Sequence, residues 1–540
     1  MKKLFVMKKI VALAGLMILF LIHPRLLFAQ ATLDPSFSQD GWTATKIDNS
    51  RDDIGQSVAI QPDKKIVVAG NSFDWLGYSN IGVARYKPNG KPDPTFNQTG
   101  IKIINDGFCN VVAIQNDGKI VVGGSVAQGS STLFGVWRLN ADGSTDNTFG
   151  TSGFKSIAFS GYVICFTMLI QPDGKILIAG NDGNFYAGHA SMAIARLTTD
   201  GSLDNTFSGD GKFTLNLTNK SLQCQKLLLQ PDGKIVAAGT LDTIILTAFF
   251  QNEFFCTRLN SDGTMDNTFG VNGIQRQRNS NSDNCYAAGL MPDGKIILGG
   301  FSEFTGYNSS SVLCLNQNGA VNTSYGTNGW TYIDMYGGSQ FITGLAIQKN
   351  GKAVFAGYVY LPDQKNAVVV GRLKKNGTLD NTFTSGGMDT FFLSSSSKPV
   401  ACNDVVLQKD NNIVIAGYTT LSNDAFLTAR ILNANPFSKE SDSEPIITSS
   451  IADLSCYPNP VSVNTMILSF NMPYASTGSI SICDINGRQI IEPVIKEFPK
   501  GPNTIELRLP DQLASGIYFC RFNVSEKFST LKFEVKQEYR

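Results

Sequence analysis

The sequence predicts an all-β chain: a seven-bladed β-propeller closed by an N-terminal strand, followed by a small Ig-like β-sandwich. Three observations lead to this prediction. A short phrase recurs seven times at intervals of 54 to 61 residues, and every copy ends in glycine. The repeat region has no helical periodicity of 3.6 residues. Charged residues make up only 16% of the chain while glycine numbers 52, which suits short strands joined by tight turns.

The N-terminal segment 1–31 is expected to be a secretory signal peptide. Four lysines within the first nine residues precede an apolar run at 10–22, and Ala29-Gln30-Ala31 fits a small-residue cleavage site. The apolar run falls short of the ~20 residues of a membrane-spanning helix, which disfavours a retained anchor. We therefore expect a signal peptide at 1–31, a propeller at 32–433, a linker at 434–450 and a second domain at 451–540.

The first phrase of the repeat predicts a β-hairpin. It reads IQPDGKILIAG at 170–180 and LQPDGKIVAAG at 229–239. Apolar residues alternate around a Pro-Asp-Gly corner, where proline presets the turn and glycine takes the left-handed position. The seventh copy carries Asn411 in place of the glycine, and asparagine tolerates this conformation. Lys64 in the first copy is expected to strain the corner by about 1 to 2 kcal/mol.

The second phrase predicts two further strands in each repeat. It reads RLNADGSTDNTFGTSG at 138–153, with a strand ending at the arginine, a polar corner and a fourth strand after the last glycine. Four short antiparallel strands describe a propeller blade. The last copy lacks this phrase, whereas LDPSFSQDG at 33–41 is a second phrase without a first. The N-terminal strand is therefore expected to complete the last blade and to leave no open edge.

A paired column of arginine and aspartate predicts a structural clamp rather than a catalytic or anion-binding ring. Five arginines are followed eight residues later by aspartate, and where Cys314 replaces arginine, Asn322 replaces aspartate. Joint loss is expected of a buried pair, because a lone buried charge is costly. An aromatic ring at one position of each copy predicts packing between blades. The expected pairs include Arg138 with Asp146 and, across the two ends of the array, Arg430 with Asp34.

The two phrases together resemble the delta-60 repeat family of bacterial β-propellers. The residues that carry the likeness are QPDGKIxxAG followed by RLNxDGSxDxTFGxxG, and the resemblance covers residues 33 to about 433. It implies a propeller fold. It brings no activity and no catalytic residues with it.

The C-terminal region predicts a small β-sandwich after the polar linker FSKESDSEPIITSS. It contains the boxes Tyr457-Pro458-Asn459-Pro460, Asp484 to Arg488 and Gly516-Ile517-Tyr518-Phe519. These boxes resemble the type A sorting domain of the type IX (Por) secretion system of Bacteroidetes, over residues 452–536. The resemblance implies export to the extracellular space or the outer-membrane surface, with the secretion machinery as partner. An ordinary Ig-like binding module is the alternative. The sorting-motif residues in these boxes are Tyr457, Pro458, Asn459, Pro460, Asp484, Gly487, Gly516 and Tyr518.

Composition argues against several functional classes. Lys plus Arg number 45 against 44 Asp plus Glu, which gives no reason to expect nucleic acid or an anionic membrane as partner. Without the signal peptide, His189 is the only histidine, which disfavours a histidine metal cluster or a Ser-His-Asp triad. The acidic corners do not match a calcium loop. We therefore expect no metal, no cofactor and no transmembrane segment after signal removal, and identify no catalytic residue.

Five of the ten cysteines share one column, six residues before the hairpin begins. Gly55 and Ile342 fill that column in the other copies, so a small apolar pocket near the start of an inner strand is the simplest interpretation. Disulfides are permitted in an exported protein and stay open. A thiolate metal ring is disfavoured because no Cys-x-x-Cys pair occurs. The column comprises Cys109, Cys165, Cys224, Cys285 and Cys402.

Irregular loops between the second and third strands of each repeat are the expected site of function. They place aromatic residues among Asn, Ser and Gly, either to stack on sugars or grip a peptide, or merely to cap the blades. We expect an exported binding scaffold for a polysaccharide or protein ligand. The alternatives are a propeller hydrolase or lyase acting on polysaccharide with paired carboxylates, and a purely structural surface protein. The candidate ligand-binding residues are Trp75, Tyr78, Tyr186, Phe304 and Tyr307.

Overall fold

The computed structural model describes residues 32–536 with short gaps at 49–50, 130, 184–189, 247–248, 305–306, 335–337, 362–365, 385, 394–398, 421–422, 434–451, 460, 462–463, 473–474, 485–488, 511–512 and 525–526. The chain folds as two separate units, 1–439 and 440–540. The predicted signal peptide and nearly all of the predicted linker lie outside the described residues. So do Tyr186, His189, Pro460, Gly487 and the side chain of Tyr307.

The first unit is built from 29 short strands among the described residues. The chain opens with β1 (Thr32–Leu33) and β2 (Trp42–Thr45). Sheets 1 to 3 then follow as β3 (Asp52–Ile60), β4 (Ile66–Phe73), β5 (Ser79–Tyr86), β6 (Ile101–Ile104); β7 (Phe108–Ile114), β8 (Ile120–Gln128), β9 (Ser131–Leu139), β10 (Phe154–Ile157); and β11 (Val163–Ile170), β12 (Ile176–Asp182), β13 (Ser191–Leu197), β14 (Lys212–Leu215).

Sheets 4 to 7 repeat the pattern. They comprise β15 (Lys220–Leu229), β16 (Ile235–Leu246), β17 (Phe249–Leu259), β18 (Ile274–Gln277); β19 (Ser282–Leu290), β20 (Ile296–Phe304), β21 (Tyr307–Leu315), β22 (Trp330–Ile333); β23 (Ser339–Ile347), β24 (Ala353–Tyr360), β25 (Asn366–Leu373), β26 (Met388–Phe391); and β27 (Val400–Leu407), β28 (Ile413–Thr420), β29 (Asp424–Leu432).

Each of sheets 1 to 6 is an antiparallel meander of four strands in chain order. Sheet 7 combines the two ends of the array, because β1 and β2 both pair with β29. Leu33 lies opposite Ile431 and Trp42 opposite Ala429. The prediction of an all-β chain of repeated four-stranded sheets is confirmed, and the N-terminal strands occupy the expected edge.

The first strands of the sheets contact one another in cyclic order, from β3 through β7, β11, β15, β19, β23 and β27 back to β3. Apolar side chains fill the spaces between neighbouring sheets, and the cluster between sheets 7 and 1 includes Val58, Val414 and Phe426. Burial of such surfaces contributes about 25 cal/mol per Å² of apolar area. The seven sheets of the described chain therefore follow one another in a closed sequence, with their first strands innermost.

The corner residues of the seven hairpins share one backbone conformation. The five glycines there have φ between 79° and 84°. Asn411 and Lys64 adopt the same left-handed conformation, with φ of 64° and 68°. The predicted turn chemistry thus extends to Lys64, which takes up the unfavourable conformation instead of forming another turn.

Every inner strand contains a β-bulge at the same place, which the sequence had not indicated. In sheet 3 the register shifts between Cys165 and Thr167, so Phe166 is the extra residue. The Cys165 thiol donates to the Thr167 carbonyl across the bulge at 3.8 Å, and the other four column cysteines do the same at 3.4 to 3.9 Å. All ten cysteines are free thiols. The bulged residues are Gln56, Asn110, Phe166, Gln225, Tyr286, Thr343 and Asn403.

The second unit contains two antiparallel sheets. One has the order β30-β31-β34 and the other β33-β32-β35-β36. Phe470, Phe498 and Phe522 pack edge-on between them with ring centroids 4.4 to 5.3 Å apart. The Ig-like assignment stays a prediction. Strand bounds are β30 (Ala452–Tyr457), β31 (Thr465–Met472), β32 (Ser476–Asp484), β33 (Val494–Phe498), β34 (Gly501–Arg508), β35 (Gly516–Val524) and β36 (Lys527–Val535).

The part of the chain that the structure describes contains no helix of the length and apolarity that crossing a membrane requires.

Candidate functional site

The arginine column joins each sheet to the next. Arg138 Nε lies 2.6 Å from Asp146 Oδ2, and the Arg138 guanidinium lies 4.5 Å from the centroid of the Phe149 ring. Its Nη1 atom donates to the Thr199 carbonyl of sheet 3. Burial alone raises the pKa of Asp146, but hydrogen bonds from Thr148 and Lys119 and the contact with Arg138 lower it well below its usual range. The Arg138 side chain is thus fully engaged by protein groups.

The same arrangement recurs in six of the seven sheets. Its closing member is Arg430, which lies 2.7 Å from Asp34 and donates to the Pro88 carbonyl of sheet 1. Sheet 5 differs, because Asn322 Nδ2 donates to Cys314 Sγ at 3.6 Å in place of the ion pair. No arginine therefore reaches from the described residues of this column in sheet 5 to sheet 6. The other pairs are Arg85 with Asp93, Arg196 with Asp204, Arg258 with Asp266 and Arg372 with Asp380.

One ion pair joins the inner strands of sheets 4 and 7 across the centre of the ring. Lys226 Nζ of sheet 4 lies 3.6 Å from Asp404 Oδ1 of sheet 7. The other Asp404 oxygen accepts hydrogen bonds from Ser57 Oγ at 2.8 Å and from the Val58 amide at 3.1 Å. Asp404 therefore ties together sheets 4, 7 and 1.

The hairpin tip between β4 and β5 exposes three apolar side chains. Trp75, Leu76 and Tyr78 are 69%, 83% and 69% exposed. Asp74 Oδ1 accepts the amides of Leu76 and Tyr78 at 2.8 and 2.9 Å, and the Asp74 amide donates to the Tyr78 carbonyl. The turn is fixed by these local hydrogen bonds, as Asx turns are. Two of the predicted ligand-binding residues thus lie together at one exposed tip, the Trp75 tip.

Phe304, another predicted ligand-binding residue, packs against its own sheet. Its ring meets Tyr332 edge-on at 5.3 Å, and Tyr332 stacks on Trp330 at 5.9 Å. This placement agrees with the capping role that the sequence left open for such residues.

A further group of rings, not singled out from the sequence, lies near the start of the inner strands, at the end of the sheets away from the Pro-Asp-Gly corners. Phe301, Phe341 and Tyr358 follow one another with centroids 4.9 and 5.0 Å apart. Tyr360 and Tyr286 extend the group on either side. Phe301 and Tyr358 each follow the last glycine of the first phrase, so an alignment of the seven copies contains the signal.

At the end of the sheets away from the Pro-Asp-Gly corners, most buried carboxylates accept hydrogen bonds from the segments that link one sheet to the next. Asp182 accepts the Ser160 and Gly161 amides, and Asp283 accepts the Asn279 amide at 2.6 Å. Asp242 differs, because its Oδ1 has no hydrogen-bond partner among the described residues. Burial raises the pKa of Asp242 to about 6. The described residues include no group of three acidic, histidine or cysteine side chains placed to bind a metal ion.

The sorting boxes lie near the last strand of the second unit. Asn459 Oδ1 accepts the Glu534 amide at 3.0 Å, and the Val461 amide donates to the Glu534 carbonyl at 2.7 Å. The Tyr518 hydroxyl donates to the Ala514 carbonyl at 2.8 Å, and Tyr518 lies opposite Asp484 in the sheet. Gly516 lies opposite Val535, while Tyr457 is 74% exposed and is followed by Pro458.

Comparison with known proteins gives no match among curated sequences. Solved structures with a similar fold include polysaccharide lyase Uly1, at 11% identity and a TM-score of 0.42, covering 72% of this chain and 91% of that chain. An ulvan lyase of family PL25 has 9% identity and a TM-score of 0.40, covering 72% and 96%. An α-L-arabinanase of Penicillium chrysogenum has 10% identity and a TM-score of 0.38, covering 71% and 93%.

Family models identify both units. Six segments match the domain of unknown function (DUF5122) β-propeller, at 61–96, 115–149, 171–207, 230–269, 292–325 and 348–383. Residues 455–536 match the secretion system C-terminal sorting domain. The first match agrees with the hairpin and clamp phrases, and the second with the boxes around Asn459 and Tyr518. The chain is therefore a β-propeller protein of the DUF5122 repeat type that ends in a Por secretion system C-terminal sorting domain, which directs its export.

Proposed function

We propose that this exported propeller is a binding scaffold for a polysaccharide or protein ligand, and that its ligand face is the end of the sheets that carries the Trp75 tip, opposite the Pro-Asp-Gly corners. The observation that carries this proposal is the exposure of Trp75, Leu76 and Tyr78 on one turn. Isolated exposed apolar residues are ordinary, but adjacent large ones commonly mark an interaction site. The repeat and its clamp supply the rigid support that recognition loops need.

The Trp75 tip is suited to binding because the backbone of its turn is already held by hydrogen bonds before a ligand binds. Asp74 already holds the turn through two amide hydrogen bonds. Immobilising a flexible side chain costs about 0.5 to 1.5 kcal/mol on binding, and a preformed turn also avoids ordering of the backbone. Trp and Tyr offer large contact areas at a low entropic cost.

The test is binding of the purified full chain to a glycan array and to immobilised proteins of the cell surface. The double variant Trp75→Ala with Tyr78→Ala is expected to lose binding to those glycans or proteins that the unaltered chain binds. Val271→Ala is the matched control, because Val271 is 74% exposed but lies in the turn after β17, between the third and fourth strands of sheet 4. Unchanged retention by the double variant would refute the Trp75 tip as the ligand face.

A polysaccharide hydrolase or lyase is the second candidate. The buried carboxyl of Asp242, with its pKa raised to about 6 by burial, has the property of a general acid. Incubation of the full chain with neutral and uronic acid polysaccharides tests it by the release of reducing or unsaturated ends. Turnover that Asp242→Asn removes would support this candidate, and the absence of released ends would exclude it for those substrates.

A further inference from the structure

One position of the repeat changes character between the two halves of the ring. It follows the last glycine of the first phrase and carries Asn71, Ser125, Asn181, Thr240, Phe301, Tyr358 and Tyr418 in sheets 1 to 7. The polar residues of sheets 1, 2 and 4 hold the next sheet, since Asn71 and Thr240 exchange hydrogen bonds with the backbone of Cys109 and Cys285. Ser125 Oγ accepts the Cys165 amide. In sheets 5 to 7 aromatic residues occupy this position instead.

Rings of sheets 5 and 6 form one continuous group, and Tyr418 of sheet 7 lies near enough to interact electrostatically with Tyr358 and Tyr360; together they are called here the aromatic arc. Its members touch in series: Tyr286 and Phe301 at 5.8 Å, Phe301 and Phe341 at 4.9 Å, and Phe341 and Tyr358 at 5.0 Å. Tyr360 lies edge-on to Phe341 and Tyr358 at 5.9 and 5.5 Å. Tyr360 is 45% exposed and the other rings are half-buried. The arc comprises Tyr286, Phe301, Phe341, Tyr358, Tyr360 and Tyr418.

The arc also brings phenol hydroxyls together. Burial raises the pKa of Tyr358, and nearby Tyr360, Tyr286 and Tyr418 raise it further. Burial raises the pKa of Tyr418 as well, with additional contributions from Tyr360 and Asp424. The titratable neighbours that act on these two tyrosines are therefore phenols and one carboxylate, and the hydroxyls stay neutral donors and acceptors. Such surroundings suit an uncharged polar ligand.

We propose that the aromatic arc binds a neutral pyranose-containing glycan, with a sugar face stacked on the rings and its hydroxyls hydrogen-bonded to the phenols. The apolar face of a sugar ring matches the exposed aromatic surface, and its alternating hydroxyls match the neutral phenol groups. The neutral phenols offer no positive charge to pair with uronic acid or sulfated chains. This inference deepens the proposed binding function and names the chemical class of its ligand.

The experiment titrates the full chain with neutral oligosaccharides and with uronic acid oligosaccharides by calorimetry. Tyr358→Ala with Tyr418→Ala is expected to lower the affinity for the neutral class by tenfold or more, about 1.4 kcal/mol. Tyr358→Phe with Tyr418→Phe keeps the rings and removes the hydroxyls, so it is expected to lose less while the unfolding midpoint is maintained. Val271→Ala, which shortens an exposed apolar side chain of sheet 4 outside the arc, is the control and is expected to bind as the unaltered chain does.

The outcomes separate this inference from the proposed function. Neutral glycan binding that requires Trp75 but survives both arc variants overturns the arc and leaves the scaffold. Tighter binding of uronic acid oligosaccharides that the arc variants abolish overturns the assignment of a neutral ligand. Failure of every oligosaccharide to bind overturns the inference, and the proposed scaffold then rests on protein ligands at the Trp75 tip.

Discussion

The Arg138 side chain makes polar contacts on both sides of the boundary between sheets 2 and 3. Asp146 neutralises it within sheet 2, while the Thr199 carbonyl accepts from it in sheet 3. Removal of one partner from a buried pair is strongly destabilising, whereas replacement of both is often tolerated. Sheet 5 already contains such a joint replacement, since Cys314 and Asn322 are in hydrogen-bond contact there.

We expect Arg138→Cys alone to lower the free energy of unfolding by about 3 to 5 kcal/mol, because it leaves Asp146 buried without its guanidinium. Arg138→Cys with Asp146→Asn copies the pair of sheet 5 and is expected to recover part of that loss. Chemical denaturation of the two variants and of Asp146→Asn measures the coupling. Additive losses would contradict the pair as a unit.

The contribution of Asp242 to stability is expected to change with pH in the opposite direction to that of the clamp carboxylates. Its pKa is raised to about 6 by burial, so the folded state binds the extra proton and loses stability as the pH rises from about 4 to 6. Asp242→Asn is therefore expected to stabilise the chain by about 1 to 3 kcal/mol at pH 7.5 and to change little at pH 4. Thermal unfolding at the two pH values measures this.

Asp182→Asn is the matched control for Asp242→Asn. The Asp182 carboxylate accepts three hydrogen bonds from the Ser160 and Gly161 segment. Its replacement is expected to destabilise the chain at neutral pH. A stability gain from Asp242→Asn at pH 4 equal to that at pH 7.5 would refute the titration.

At the scale of the strand and the hairpin, all seven corners adopt the same left-handed backbone conformation, although glycine, asparagine and lysine tolerate it to different degrees. Glycine meets it without strain, Asn411 nearly so, and Lys64 only against a steric cost. The inner strands each add a bulge, where a cysteine thiol in five sheets satisfies the carbonyl two residues on. Cysteine suits this place because it is small, apolar and a weak donor.

Lys64→Gly is expected to stabilise the protein by about 0.5 to 1 kcal/mol, because the relieved strain exceeds the entropy that glycine adds to the unfolded chain. Asn411→Gly serves for comparison and is expected to change the stability less. Midpoints of thermal unfolding under one buffer compare the two. A loss of stability in Lys64→Gly would show that Lys64 contributes contacts that outweigh its backbone strain.

The hairpins and the clamp were predictable from sequence because each depends on residue type at a fixed spacing. A left-handed corner selects Gly or Asn, and an ion pair changes both members together. The bulges were not predictable, since residues as unlike as Phe166 and Asn110 occupy them and the shift exists only in the pairing of two strands. Trp75 and Tyr78 were identified by their loop, but the packing of Phe304 depends on Tyr332, which lies on another strand.

At the scale of the whole molecule, the ends of the repeat array are joined by strand pairing, by the pair of Arg430 and Asp34, and by Asp404. Thr32 lies opposite Leu432 in this pairing. Pairing with β1 and β2 covers the outer edge of β29, which limits pairing of this strand with other chains.

Thr32→Cys with Leu432→Cys is expected to form a disulfide between the ends of the ring, because directly opposed residues in antiparallel strands have the separation that a disulfide needs. The bond is expected to stabilise the chain by about 2 to 4 kcal/mol. Non-reducing peptide mapping detects it, and Thr32→Cys with Thr420→Cys, at the far end of β28, is the pair expected to stay reduced. An uncrosslinked Thr32→Cys and Leu432→Cys protein would contradict closure.

The unlike junction after sheet 5 has a consequence for how the chain assembles. Repeats with nearly the same phrases are prone to docking against the wrong neighbour, a characteristic failure of repetitive proteins during folding. Sheets 5 and 6 meet through Phe301 and Phe341 instead of an arginine bridge. Because this boundary has a chemistry that the other boundaries lack, we expect sheets 5 and 6 to dock against each other in preference to other neighbours during folding.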